Sequence, residues 1–215
     1  LVDCPPSLSL LTVMALVSSN SLLVPLQTEF FALEGVTQLM KTIERIKMNL
    51  NTLTNICYFA ATFTLIVISV GAWVRLTDAG LGCPDWPGCY GILSTPDTES
   101  ELLRAKELYP DSVIDIGKAW REMFHRYLAG TLGILVFIIT FLMLKYAKHV
   151  PKIYPISLSI LIVIQSTMGM LTVTQLVKPT IVTTHLILGM TTAGLLLWNG
   201  LQIKLKNKID QKDFK

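Results

Sequence analysis

Two histidines, His125 and His185, stand out because each lies within or close to a long apolar run of the sequence. Each follows a lysine, Lys118 or Lys178, by seven residues, so on parallel helices both would lie about 10 Å beyond those lysines. Ionisable groups inside membrane spans usually face the bundle interior and mark function. Two imidazoles at one depth can bind an iron from opposite faces, and haem iron takes axial histidine. The alternative is two unrelated histidines, each bonded to a neighbouring carbonyl or to water.

Three charged residues accompany the histidines. Glu122 precedes His125 by three residues and shares a helix face with it, so its carboxyl group is placed to accept or relay protons. A helix N-terminal acid favoured by the macrodipole is the alternative. Arg75 and Arg126 fall near the ends of apolar runs. They are placed either to pair with the propionate carboxylates of a haem or to extend to the membrane interface.

Two cysteines, Cys83 and Cys89, bracket the segment CPDWPGC, whose two prolines and one glycine favour a tight turn. A disulfide is expected where this segment faces an oxidising compartment. A zinc pair is the weaker alternative, because the sequence offers no further ligands beside the cysteines. The chain contains no C-x-x-C-H motif, which argues against covalent c-type haem attachment.

The elements that must position these residues are membrane helices. The chain is 52% hydrophobic and only 15% charged, against about 25% charged residues in an ordinary soluble domain. A helix needs about 20 apolar residues to span a bilayer. Four runs approach or exceed that length and contain no Lys, Arg, Asp or Glu: Cys57–Val74, Tyr127–Leu144, Ile153–Val177 and Ile181–Ile203.

The distribution of lysine and arginine predicts the orientation of these spans. The segment 75–122 carries nine acidic against five basic residues, so it is expected outside. Basic residues instead cluster before the first span, between the second and third, and after the fourth: Lys41, Arg45, Lys47, Lys145, Lys148, Lys152, Lys204, Lys206, Lys208, Lys212 and Lys215. We therefore expect a multi-pass protein of the bacterial inner membrane with both termini cytoplasmic.

Residues 1–50 have a different pattern. They predict a strand ending at Asp3, a helix through Val17, a strand at Leu22–Pro25 and a helix over Phe31–Asn49. This segment, including DCPPS, resembles an internal stretch of the chromosome-partition ATPases with a deviant P-loop. The resemblance implies that Asp3 helps to organise Mg²⁺. The glycine-rich loop with its lysine is absent from these residues, so no functional ATP site is expected.

A second resemblance covers about residues 56–203. The motifs GAWVRLTDAGLGCPDWPGCYG, EMFHRYLAGTLG and VTTHLILGMTT, in this order, resemble the N-terminal half of haem A synthase. That family oxidises the C8 methyl of haem O to a formyl group, giving haem A for terminal oxidases. The resemblance implies that His125 and His185 bind the substrate haem and that Glu122 takes part in catalysis. It also implies that Cys83 and Cys89 form the cysteine pair of the loop.

Members of that family usually have two similar halves, and the second half holds haem b on another histidine pair. We therefore expect a truncated protein in which substrate binding survives and turnover requires the missing half. A second copy, a separate half or haem O synthase is an expected partner.

The sequence thus predicts an all-α integral membrane protein, a four-transmembrane-helix bundle with a haem site preceded by a short α/β fragment. The expected domains are an ATPase-like fragment at 1–50, a haem-binding domain at 51–205 and a basic cytoplasmic tail at 206–215. The expected partners are haem O and the lipid bilayer, without nucleic acid, since the net charge is only +3. The alternatives to a haem A synthase-like oxidoreductase are a bis-histidine b-type cytochrome that passes electrons, and a partition-ATPase fragment.

Overall fold

The computed structural model describes residues 30–147 and 150–212 of the chain. These residues form five helices: α1 (Phe30–Leu76), α2 (Glu99–Leu108), α3 (Ile116–Tyr146), α4 (Ile153–Thr174) and α5 (Pro179–Lys212). They contain no β-strand, only an isolated bridge between Cys89 and Ile92. The all-α prediction is confirmed for this part of the chain, whereas the α/β elements expected at 1–25 lie outside it.

Four of the helices are long and apolar enough to cross a membrane, as the sequence predicts. The candidate spans are Leu50–Leu76, Ile116–Tyr146, Ile153–Thr174 and Pro179–Lys206. Three of the helices extend well beyond the apolar runs. Polar residues cap and continue them: the Asp115 carboxylate accepts the Lys118 amide at 3.0 Å and starts α3.

The first span belongs to a longer helix than the sequence predicts. A helix over Phe31–Asn49 and a span over Cys57–Val74 were expected as separate elements. In the structure α1 runs without a break for 47 residues. No glycine or proline lies between residues 36 and 70, so nothing in the backbone chemistry of that stretch interrupts the helix.

The four long helices form a ring. α1 packs against α3 and α5, and α4 packs against the same two helices, so α3 and α5 occupy diagonal corners. Small residues permit the close approach of α1 and α5: a Cβ atom added to Gly200 would lie 2.7 Å from Cε1 of Tyr58. Such contacts are typical of helix packing in lipid, where van der Waals contact drives association.

Residues 77–115 form a structured cap at one end of the ring, which we call the loop end. Thr98 and Glu101 make a reciprocal capping box that starts α2, and the hydrogen bonds from Thr98 lower the pKa of the Glu101 carboxyl. The cap has its own buried cluster: Cys83, Cys89, Tyr90 and Ala105 from the cap, with Ala119 and Met123 from α3. No helix was expected in the acidic segment 75–122. Helix α2 corrects that expectation, and the Thr98-x-x-Glu101 pattern was the sequence signal for it.

Candidate functional site

His125 and His185 lie in the half of the bundle nearest the loop end, on the diagonal helices α3 and α5. Among the residues that the structure describes, the buried Nδ1 atom of each ring has no hydrogen-bond partner. The backbone carbonyls of Val67 and Gln165 neighbour the rings of His125 and His185 respectively. A buried ring nitrogen without a partner calls for an explanation, and a bound ligand that contacts the imidazole is one such explanation.

Two glycines lie against the imidazoles. A Cβ atom added to Gly71 of α1 would lie 2.8 Å from Cε1 of His125, and one added to Gly169 of α4 would lie 3.5 Å from Cε1 of His185. The sequence analysis did not single out either residue. Gly71 is the first residue of the GAWVR motif, and Gly169 is flanked in the sequence by larger residues. A glycine at such a position was the available sequence signal for close contact with a neighbouring helix.

Gln165 is a second residue that the sequence analysis missed. Its Nε2 donates to the backbone carbonyl of His185 at 3.0 Å, which joins α4 to α5 beside the imidazole. Its Oε1 is buried and has no partner among the described residues. A carboxamide in the middle of an apolar span is itself a signal, because polar side chains in lipid are costly unless they face other helices.

The Glu122 side chain lies on the side of α3 that faces the cap. It is only 4% exposed, and its Oε2 accepts the Cys83 amide at 3.0 Å. Its Oε1 accepts from Nη2 of Arg126 at 2.5 Å. The structure therefore brings Glu122 together with Arg126 and Cys83, while the ring of His125 faces Gly71.

The two arginines have different surroundings. Nη1 of Arg126 donates to the backbone carbonyls of Asp85 at 3.0 Å, of Pro87 at 3.3 Å, and of Gly88. Arg75 is exposed in the last turn of α1. The partners of Arg126 are thus groups of the protein, whereas Arg75 projects at the loop end.

The cysteines of the cap are paired, with the sulfur atoms of Cys83 and Cys89 2.00 Å apart and both residues fully buried. The Asp85 carboxylate closes the turn between them, since it accepts the backbone amides of Tyr90 at 2.6 Å and Gly91 at 2.9 Å. Gly91, with φ of +80°, has the left-handed conformation that glycine adopts without strain.

Comparison with known proteins gives the family of this bundle. Residues 54–215 match the model of the COX15-CtaA family, described as "Cytochrome oxidase assembly protein". The chain belongs to this family. A haem A synthase from Shewanella oneidensis is 49% identical to it over 145 residues, which are 67% of the chain and 44% of that protein. This member of the COX15-CtaA family thus covers less than half the length of that relative.

The first part of this COX15-CtaA chain matches a different group. Residues 1–56 match an AAA domain model. A chromosome partitioning protein ParA from Caulobacter vibrioides is 63% identical over 51 residues, 24% of the chain and 19% of that protein. The sporulation initiation inhibitor protein Soj of Bacillus subtilis is 50% identical over 52 residues, 24% of the chain and 21% of that protein. Both resemblances seen in the sequence are confirmed. No solved structure matches the chain significantly.

The described residues of this COX15-CtaA protein fit a haem at the two histidines. Two buried ring nitrogens lack hydrogen-bond partners, and imidazole is a ligand that iron prefers. Glycines beside the rings leave room for the imidazoles themselves, whereas larger side chains would press on them. Gly130 and Gly133, which follow His125 on α3, have no imidazole beside them: an added Cβ atom would meet nothing within 4 Å at Gly130 and only Ile162 at 4.0 Å at Gly133. Gly189 packs against Ile68 and Gln165, which is ordinary helix packing.

Proposed function

We propose that this chain supplies the substrate-binding part of a haem A synthase, an oxidoreductase that converts haem O to haem A for cytochrome oxidase. The reaction oxidises the C8 methyl of haem O to a formyl group, which removes electrons from that carbon and adds an oxygen atom. Membership of the COX15-CtaA family and the 49% identity to a haem A synthase support the reaction class. The observation that carries the proposal is the pair of partnerless imidazole nitrogens on diagonal helices.

The residues of the site have separate roles in this proposal. His125 and His185 would hold the iron of the substrate haem. Arg75, exposed at the loop end, pairs with a propionate carboxylate. Arg126 was expected to do the same, but both of its terminal nitrogens already have partners in the protein, so Arg75 is the better placed of the two. Glu122 is the acidic residue that the family resemblance implicates in catalysis, and Cys83 and Cys89 form a disulfide in the mature protein.

We propose that turnover requires a whole protein as long as the matching haem A synthase. The chain spans 44% of the matching haem A synthase. The family resemblance implies that the other half holds haem b, which supplies an outlet for electrons. We propose that His125 and His185 suffice to bind haem O, and that its oxidation requires that second half in the same chain, in a separate chain or in a partner copy.

The experiment uses the purified 215-residue chain reconstituted with haem. Ferric and ferrous spectra should report low-spin, six-coordinate iron. His125→Ala and His185→Ala should each abolish that signature, because one axial ligand is lost. His149→Ala is the matched control, since the sequence puts this histidine among lysines outside the apolar runs, and it should leave the spectra unchanged.

Three results would contradict the proposal in different ways. Spectra that survive both histidine replacements would overturn the ligand assignment. Haem binding without any haem A, even after a C-terminal half from the relative is added, would favour a b-type cytochrome instead. Formyl-haem produced by this chain as a monomer would refute the need for a second half.

We also propose that residues 77–115 face the exterior of a bacterial inner membrane and that both termini are cytoplasmic. The support is the excess of acidic residues in segment 75–122 and the basic residues at the other helix ends. Reporter fusions at residue 100 and at the C-terminus should report opposite sides of the membrane. Fusions that report the same side would refute this topology.

A further inference from the structure

A buried ion pair on α3 contacts the cap. Glu122 and Arg126 are one helical turn apart, and their side chains are only 6% and 12% exposed. Glu122 accepts from the Cys83 amide, and Arg126 donates to the carbonyls of Asp85, Pro87 and Gly88. Glu122 and Arg126 are therefore each other's partners on α3, and each also has at least one partner in the disulfide loop.

The loop is folded so that these contacts converge. The Asp85 carboxylate accepts the amides of Tyr90 and Gly91, which turns the 85–88 carbonyls towards a single guanidinium nitrogen. Gly82 lies so close to α3 that an added Cβ atom would be 2.5 Å from the Lys118 carbonyl carbon. The loop is thus fitted to α3 over its first turns, up to Arg126.

Neither Glu122 nor Arg126 can lose its partner without a large cost in free energy. Removing one member of a buried ion pair leaves the other charged and desolvated, which costs far more than the pair contributes net. The same two side chains would have to break these contacts to act as a mobile proton carrier or a propionate partner. Their described partners instead account for both oxygens of Glu122 and both terminal nitrogens of Arg126.

We propose that Glu122 and Arg126 are positioning residues that latch the Cys83–Cys89 loop to the helical turns that carry His125. Through this latch the position of the loop sets the position of the imidazole. The effect on a bound haem rests on the proposed function, whereas the latch between loop and helix does not. On this assignment Glu122 serves the catalytic role that the family resemblance implies by positioning the loop, and not by exchanging protons with substrate.

The test is a double-mutant cycle on the purified full chain without haem. The variants are Glu122→Ala, Arg126→Ala and the double replacement, and the readout is the rate at which a water-soluble phosphine reduces the Cys83–Cys89 bond, followed by thiol labelling. Each single replacement should speed reduction by about tenfold or more, because the loop leaves α3 more often. The double variant should be no faster than the faster single variant, since both residues hold the same contact.

Arg121→Ala is the matched control. Arg121 lies on the same helix near the same end, but its guanidinium lies over the Trp73 ring instead of contacting the loop. Its replacement should leave the reduction rate unchanged. If an Ala variant fails to fold, Arg126→Lys and Glu122→Gln replace it: each keeps one contact with the loop or the partner and should give an intermediate rate.

A second readout separates positioning from a merely structural role. In the haem-loaded chain, Arg126→Lys should keep six-coordinate iron but shift the low-spin EPR g values, because the His125 ring is held less firmly. Unchanged reduction rates in both single variants, or effects that multiply in the double variant, would overturn the latch. Faster reduction in a chain that binds no haem would keep the latch and refute the proposed function instead.

Discussion

The two halves of the helix ring differ in what they bury. The half away from the cap buries apolar side chains, and Val136, Ile139, Leu158 and Ile203 are fully inaccessible there. The half at the loop end contains three of the four buried polar atoms without partners among the described residues, on His125, Gln165 and His185. A bundle built only for stability would satisfy or exclude such atoms. The far half therefore stabilises the bundle. The loop half gives up some stability because it contains the buried polar atoms of a binding site.

The difference between the halves is sharpest in lipid. Lipid chains are as apolar as leucine, so burying an apolar side chain between helices brings packing energy and little transfer energy. The far half depends on that packing. In the loop half, glycines let the backbones of α1 and α4 approach the imidazoles closely, so the rings of the two histidines occupy the space that apolar side chains fill in the far half.

The largest effect is expected from a cavity in the far half. Ile139→Ala removes a fully buried side chain and should lower the free energy of unfolding in detergent by about 2–3 kcal/mol, the lower part of the range for such replacements because little transfer energy is lost. The haem spectra should not change. Ile138→Ala is the control, because this neighbour is 48% exposed on the outer face. Equal effects of the two variants would contradict the assignment of stability to the far half.

A smaller effect is expected at the imidazole. Gly71→Ala places a methyl group 2.8 Å from Cε1 of His125 and should weaken haem binding about tenfold, equivalent to about 1.4 kcal/mol, by forcing the ring to move. Stability without haem should change much less. Gly130→Ala is the matched control, since its added Cβ atom meets nothing within 4 Å. Haem titrations that do not distinguish the two variants would show that Gly71 does not shape the site.

The smallest effect is expected in the cap. Thr98→Ala removes the capping box of α2 and should cost about 1 kcal/mol of local stability. Hydrogen exchange should become faster at the amides of residues 99–108 and stay unchanged in the four long helices. Ser94→Ala, at an exposed position of the same segment, serves as control. Exchange that rises throughout the bundle would show that the cap and the ring do not unfold separately.

The sequence predicted the four spans because a run of apolar residues is a strong signal that depends on composition alone. It did not predict α2, because a capping pattern of two residues is a weak signal within a polar, acidic segment. It named His125, His185 and Glu122 from residue type and spacing. It could not find the contact between Gly71 and His125, because that contact depends on which helices are neighbours in the ring. The sequence also could not predict the partners of Arg126, because three of them are backbone carbonyls and backbone carbonyls have no sequence signature.

The short connection between α4 and α5 has a consequence for biosynthesis. Residues 175–178 alone separate the two helices, and the Val177 amide donates to the Thr172 carbonyl at 2.8 Å, which closes the turn on the end of α4. Two helices joined this tightly enter the bilayer as a hairpin, because neither can cross while the other remains behind. The bond from Gln165 to the His185 carbonyl can then form during insertion, so that His185 crosses the interface with its backbone already held. Lengthening the turn with glycine and serine should lower the fraction of chains with α5 inserted, as measured by glycosylation mapping, and an unchanged fraction would exclude such coupled entry.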